Sequence, residues 1–213
     1  MRDVKELDAL WQSYQLRVTD EIVRSPEVLF CNGSAIGTLG NFSASTGKAK
    51  SKKTFNVSAI LAAALTNGDV LRYIAEFPDD KRTILYFDPE QSPHHCQRVM
   101  KRALRLAGLP VDRHPENLIF AQLRAITPDL RLELIDNAIA NTPNVGLVII
   151  DGVRDLMFDI NNAIESSRLI GKLMEWTDKY QMHIHTVLHL NKSDDNVRGH
   201  VGTELNNKAE TVL

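Results

Sequence analysis

Apolar residues recur along this chain in two alternating rhythms. Short, nearly continuous runs have the length of strands buried on both faces: Val28-Leu29-Phe30-Cys31, Thr83-Ile84-Leu85-Tyr86-Phe87, Leu118-Ile119-Phe120-Ala121, Val145 to Ile150 and His183 to Leu188. Longer stretches with helical spacing lie between them. Val57, Ile60, Leu61, Ala64 and Leu65 mark one buried face of a helix that begins at Thr54 and ends at Asn67-Gly68. Further helices are predicted from Ser92 to Ala107, from Pro128 to Ala140 with Thr127 as cap, and from Asn162 to Tyr180. The last has an apolar face through Leu169, Ile170, Leu173, Met174 and Trp176. Strands alternating with helices predict an α/β chain with a doubly wound, mostly parallel sheet and helices on both faces.

The ends break this rhythm. Residues 3–24 predict one amphipathic helix, with Leu7, Leu10, Trp11 and Tyr14 at helical spacing, stopped by Pro26. It either packs on the main domain, the preferred expectation, or reaches to a neighbouring subunit. The chain thus divides into an N-terminal helical extension, 1–25, and a main domain, 26–213. Asn32-Gly33 predicts a hairpin turn returning through Ala35-Ile36-Gly37. Residues 191–202 are polar and lack an apolar period, so they are expected to form a loop outside the core. Thr211-Val212-Leu213 resembles the start of another strand, and such an apolar end is what a trimmed chain would show.

Composition narrows the class. The 213 residues are 43% hydrophobic and 24% charged, which suits an ordinary globular domain. The net charge of −2 leaves nucleic-acid binding to local basic patches. Cys31 and Cys96 are far apart and predict reduced thiols, not a disulfide framework. The start lacks the apolar run of a signal peptide, and no apolar stretch approaches the ~20 residues of a membrane span. The expectation is a cytoplasmic protein with no membrane partner.

Chemistry concentrates after the short strand Phe42-Ser43-Ala44-Ser45-Thr46. The next stretch, Gly47-Lys48-Ala49-Lys50-Ser51-Lys52-Lys53-Thr54, fits the phosphate-cradling pattern G-x-x-x-x-G-K-[ST] at every position but one. Lys52 stands where the second glycine belongs, and costs roughly 1–2 kcal/mol if that position requires a left-handed backbone. A competing register closes on Gly47-Lys48 but puts Phe42 in place of the first glycine and Ala49 in place of the hydroxyl. A solvated basic loop is the third reading. In the first register, backbone N–H groups and the helix N-terminus attract phosphates. Lys53 reaches the β/γ-phosphates and the Thr54 hydroxyl ligates Mg²⁺.

In such sheets ligands bind beyond the carboxyl ends of the strands. There the sequence places Asp151, with the form of a Walker B carboxylate that holds Mg²⁺, and Glu90, suited to polarise an attacking water. Asp88 is the alternative base, or simply a cap at the strand end. His189 could sense the γ-phosphate from its strand end, or be an ordinary surface histidine. His94-His95-Cys96 has no accompanying zinc-ligand spacing.

The order of these motifs resembles the RecA-like P-loop NTPases, and most nearly the RepA-type hexameric helicase branch, the AAA_25 group. The residues Gly47 to Phe55, Ile150-Asp151-Gly152-Val153-Arg154-Asp155-Leu156 and Arg198-Gly199-His200-Val201-Gly202-Thr203-Glu204-Leu205 are similar to the version found in ATPases of bacterial plasmids and mobilizable transposons. The likeness spans residues 27–213. It implies a RecA-like fold, ATP and Mg²⁺ as cofactors, assembly into a homo-oligomeric ring such as a hexamer, and work on DNA. By motif match, Gly47, Lys48, Ala49, Lys50, Ser51, Lys52, Lys53, Thr54 and Phe55 form the nucleotide loop, and Thr54 and Asp151 hold the metal. Lys53, Glu90, His189 and Arg198 take catalytic roles, with Arg198 in a subunit-boundary or DNA-contacting loop. Two functions follow: an ATPase assembling on DNA for replication or mobilisation of a genetic element, or a nucleotide-dependent DNA-binding or adaptor module that hydrolyses little. Helicase activity does not follow from fold and site alone.

Overall fold

The computed structural model describes residues 3–47, 53–189 and 199–213, with the side chain of His189 outside that description. Helix α1 (Val4–Ser13) opens the chain. Strands β1 (Glu27–Cys31) and β2 (Ser34–Thr38) form the predicted hairpin, with Asn32 and Gly33 both at positive φ. Then come β3 (Phe42–Gly47), α2 (Lys53–Thr66), the short strands β4 (Asp69–Val70) and β5 (Tyr73–Ala75), β6 (Thr83–Asp88) and α3 (Pro93–Leu106). The remainder is β7 (Leu118–Gln122), α4 (Pro128–Asn141), β8 (Val145–Ile150), α5 (Ala163–Tyr180), β9 (His183–His189), α6 (Gly199–Lys208) and β10 (Thr211–Val212).

Six of these strands form one sheet in the order β10-β3-β9-β8-β6-β7, every neighbouring pair parallel. The chain goes from β3 out to β6 and the edge strand β7, then returns to insert β8 and β9 between them. Two cores result. One, on the side of α2 and α3, takes Ile84, Tyr86, Leu147 and Ile149; the other, under α4, α5 and α6, takes Leu85, Phe87, Val148 and Ile150. This strict alternation is why the strands are apolar throughout: each presents every second residue to a different helix layer. A smaller antiparallel sheet, β2-β1-β5-β4, covers part of the α2 side.

Three expectations need correction. The N-terminal helix stops at Ser13 rather than running to residue 24, and no residue from 3 to 24 is buried. Leu7, Leu10, Trp11 and Tyr14 are all exposed, so the helix does not pack on the domain. The polar stretch after β9 was expected to stay outside the core, yet Gly199 begins α6, whose Val201, Gly202 and Leu205 are buried. An apolar i, i+4 pair, Val201 and Leu205, straddles the boundary assigned to the loop and was hidden by it. Met174, expected on the buried face of α5, is exposed.

The joint between β3 and β9 contains a polar chain. On β3, Ser43 and Ser45 face His183 and His185 of β9, and all four side chains are buried. His183 Nδ1 lies 2.9 Å from the Thr38 carbonyl, which can only accept, so this nitrogen carries the proton. In the neutral ring Nε2 then accepts from Ser43 Oγ at 2.7 Å. Ser43 Oγ in turn accepts from His185 Nδ1 at 2.8 Å, and Ser45 Oγ donates to His185 Nε2 at 2.9 Å. One direction satisfies every group. Gly37 belongs to the same arrangement, because a Cβ there would come within 2.7 Å of the His183 ring.

Burial pushes His183 down to about 4 and, with help from its histidine neighbour, His185 down to about 3. Both folded values lie below the ordinary ~6.5 of an unfolded histidine. The stabilisation from keeping these rings neutral is complete above about pH 6.5 and is lost as pH falls toward those folded values. Between pH 7 and 5 the urea midpoint should therefore fall, with a slope approaching about 1.4 kcal/mol per pH unit for each histidine at the acid end. Asp88, raised by burial, works in the opposite direction as pH falls, so a flat midpoint in an Asp88→Asn background would refute the neutral chain.

Candidate functional site

The parallel register brings four strand ends to one edge of the sheet. Gly47, the last residue of β3, is in register with His189, the last of β9. The β8 strand finishes at Ile150, and the amide of Asp151 bonds to the Phe87 carbonyl of β6 at 3.0 Å. Because Ile150 points into the α4–α6 core, alternation turns the next side chain toward the layer that contains α2. Helix α2 starts at Lys53, directly against that edge.

Lys53 is buried, and its ammonium donates to the Gly47 carbonyl, tying the start of α2 to the end of β3. Burial lowers its proton affinity below the ordinary lysine value, while the Asp151 and then the Glu90 carboxylates raise it again. The two carboxylates, predicted from separate parts of the sequence, thus both lie within electrostatic reach of Lys53. Phe55, one residue past Thr54, is exposed on the first turn of α2. Lys48, Ala49, Lys50, Ser51, Lys52 and Arg198 lie outside the described residues, as does the side chain of His189.

Glu90 itself is exposed and is set by the residue offered as its alternative. Asp88 is buried at the end of β6, where its Oδ1 accepts from the amides of Glu90 at 3.0 Å and Gln91 at 2.7 Å. Its Oδ2 accepts from Gln91 Nε2 at 2.9 Å. Asp88 is therefore a strand-end cap that shapes the Pro89-Glu90-Gln91 turn. Burial raises its pKa, opposed by these amide bonds. Cys96 lies below the same turn, and its thiol is pushed up to about 12 by burial and then by Asp88, so it stays protonated.

Asp151 is almost fully buried and receives a hydrogen bond at 2.7 Å from the hydroxyl of Tyr86 on β6. Burial, and then the charge of Asp151, hold the phenol well above its usual range, so Tyr86 remains a donor. Gly152 follows with φ of +130°, and a Cβ there would press on Pro89 Cγ at 3.3 Å and Asp155 Oδ2 at 3.2 Å. The turn after β8 and the turn carrying Glu90 are thus in close contact. Sequence reading missed Tyr86 by counting it as one more apolar strand residue. The available signal was chemical: a tyrosine inside a doubly buried strand needs a partner for its hydroxyl. The Ser-x-Ser and His-x-His pairs on β3 and β9 gave a similar signal by their shared period of two.

The donors fit a small hard cation. The Asp151 carboxylate and the Thr54 hydroxyl are hard oxygen donors of the kind such an ion would take, the latter on the first turn of α2. Among the described residues no group of three or more His, Cys, Asp or Glu could enclose a metal alone.

Comparison with curated proteins gives no match. Among the described residues, no helix is long and apolar enough to cross a membrane. The profile of the AAA_25 family, an AAA domain, matches residues 35–195, from β2 to beyond the end of β9. Together with the six-stranded parallel sheet flanked by helices, this is a RecA-like P-loop fold. The match covers well over half of the chain, which therefore belongs to the AAA_25 family of P-loop ATPases, proteins whose domain is built for nucleotide binding and hydrolysis.

Proposed function

We propose that the chain is a Mg²⁺-dependent ATPase that assembles into a homo-oligomeric ring on DNA and serves the replication or mobilisation of a genetic element. The observation that carries the ATPase reading is the convergence of Lys53, Asp151 and Glu90 at the carboxyl edge of the sheet. Residues Gly47 to Phe55 cradle the phosphates, with Lys53 exchanging its bond to the Gly47 carbonyl for the β/γ-phosphate oxygens. Thr54 and Asp151 would hold the metal, which would neutralise charge on the transferring phosphoryl group. Glu90 orients and deprotonates the attacking water, and Asp88 keeps its turn in place. His189 senses the γ-phosphate from the neighbouring strand end, and Arg198 stabilises phosphoryl charge in an adjacent subunit or binds DNA.

Ring assembly is supported by the RepA-type resemblance and by the 1–25 extension, whose Leu7, Trp11, Tyr14, Leu16 and Val18 are exposed in the single subunit. The ATPase domain proper is 26–213. DNA as partner is supported by α3, which carries Arg98, Lys101, Arg102 and Arg105 and no acidic residue. The adaptor reading, with little hydrolysis, draws its support from Lys52 in place of a loop glycine.

The central test is turnover with and without DNA. Glu90→Gln should keep ATP binding and lower turnover on the order of 10²–10⁴-fold; unchanged turnover removes Glu90 from the chemistry. Lys53→Ala should abolish most ATP affinity and Lys48→Ala little, and a larger loss at Lys48 would select the other register. If Arg198 acts across subunits, Arg198→Ala lowers turnover without DNA, and mixing it with Lys53→Ala subunits restores part of it. If it binds DNA, basal turnover stays and the salt dependence of DNA binding flattens. A response in neither assay strikes Arg198 from the site.

A further inference from the structure

The hydroxyl of Tyr86 has no place in the phosphate loop or the general-base step, yet it is aimed at the metal-binding carboxylate. Tyr86 is wholly buried, and its register partner on the edge strand β7 is Phe120. The two rings stack with centroids 4.3 Å apart and planes within 11°. The tyrosine ring is thereby fixed in plane, and its Oη reaches Asp151 Oδ2 at 2.7 Å. The same β6 strand also holds the Asp151 amide through the Phe87 carbonyl. Main chain and side chain of the aspartate are thus both anchored to one strand.

A carboxylate with one oxygen engaged by a buried donor cannot rotate freely, and that oxygen keeps one lone pair for any further partner, in a direction set by the hydroxyl. We propose that Tyr86 is a positioning residue that restricts Asp151 to single-oxygen or water-mediated coordination and so favours Mg²⁺ over Ca²⁺. Mg²⁺ requires a compact octahedron with single-oxygen ligands and retained waters, whereas Ca²⁺ accepts more ligands and gains from bidentate carboxylates. A phenylalanine would fill the same space against Phe120 but would lift the hydroxyl's constraint on Oδ2, making a bidentate clasp easier. The hydroxyl behind the ligand is thus a contributor to the discrimination that can be removed without removing the ligand. Such partners of metal ligands change metal affinity by about 10–100-fold when removed.

The inference rests on the assignment of Asp151 to the metal, and the experiment separates the two. Binding of a fluorescent ATP analogue is titrated with Mg²⁺ and with Ca²⁺ for the wild type, Tyr86→Phe, Phe120→Leu and Asp151→Asn, with folding monitored by thermal melting. Asp151→Asn should remove most of the dependence on either cation; if it does not, the metal assignment fails and Tyr86 loses its role with it. Given that control, Tyr86→Phe should weaken the Mg²⁺ response about 10-fold or more and the Ca²⁺ response less, narrowing the ratio of the two. Phe120→Leu keeps the hydroxyl but loosens the ring, and should shift the ratio in the same direction by a smaller amount. Equal losses for both ions, or an unchanged ratio in both variants, would reduce Tyr86 to a packing residue and overturn the proposal.

Discussion

At the carboxyl edge of the sheet the governing constraint is that the ammonium of Lys53 is buried and needs groups that can hold it. Its own helix and the Gly47 carbonyl fix where it sits, while Asp151 and Glu90 arrive from β8 and the turn after β6. Removing a lysine from water is unfavourable without compensation. Here the compensation comes from three chain segments that the parallel sheet, in the order β3, β9, β8, β6, ends on one edge. The topology is therefore a condition of the electrostatics. In sequential order β8 would stand one strand farther from β3, and Asp151 would move away from the lysine with it.

Much of this was legible in the sequence because the relevant signals were local. Strand length, helical spacing and the glycine-lysine-rich turn gave β3, β6, β7, β8, β9 and the helices between them, and Asp151 and Glu90 could be placed at strand ends by counting. What was not legible depended on partners distant in sequence. The bond from Tyr86 to Asp151 spans 65 positions, and Ser43 meets His183 across 140. The strands β4 and β5 are two and three residues long, too short for a period to show, and form because β5 has an edge of β1 to pair with. Helix α1 failed in the opposite way. Its amphipathic pattern was real, but pattern alone does not say on which surface an apolar face is buried.

Asp88 and Asp151 show how position assigns work to chemically identical groups. Both terminate buried strands and both are withdrawn from solvent. One spends its lone pairs on the amides of the following turn; the other accepts a hydrogen bond from the Tyr86 hydroxyl on the strand beside it. The first becomes scaffold for Glu90 and the second faces Lys53. Sequence could name both carboxylates as candidates, but only the hydrogen-bond partners distinguish their roles.

The directional chain from Ser45 to Thr38 constrains how this protein can vary. Each member donates to the next, so a residue that reverses or deletes one link leaves a neighbour with two donors or two acceptors facing each other. Change at any one of Ser43, Ser45, His183 and His185 is then conditional on change at another. Gly37 extends this dependence into volume, because a methyl group there is admissible only if the ring at position 183 has been replaced by something smaller. Across related chains these five positions should therefore vary as a set, with apolar or smaller combinations replacing the polar one whole rather than piece by piece.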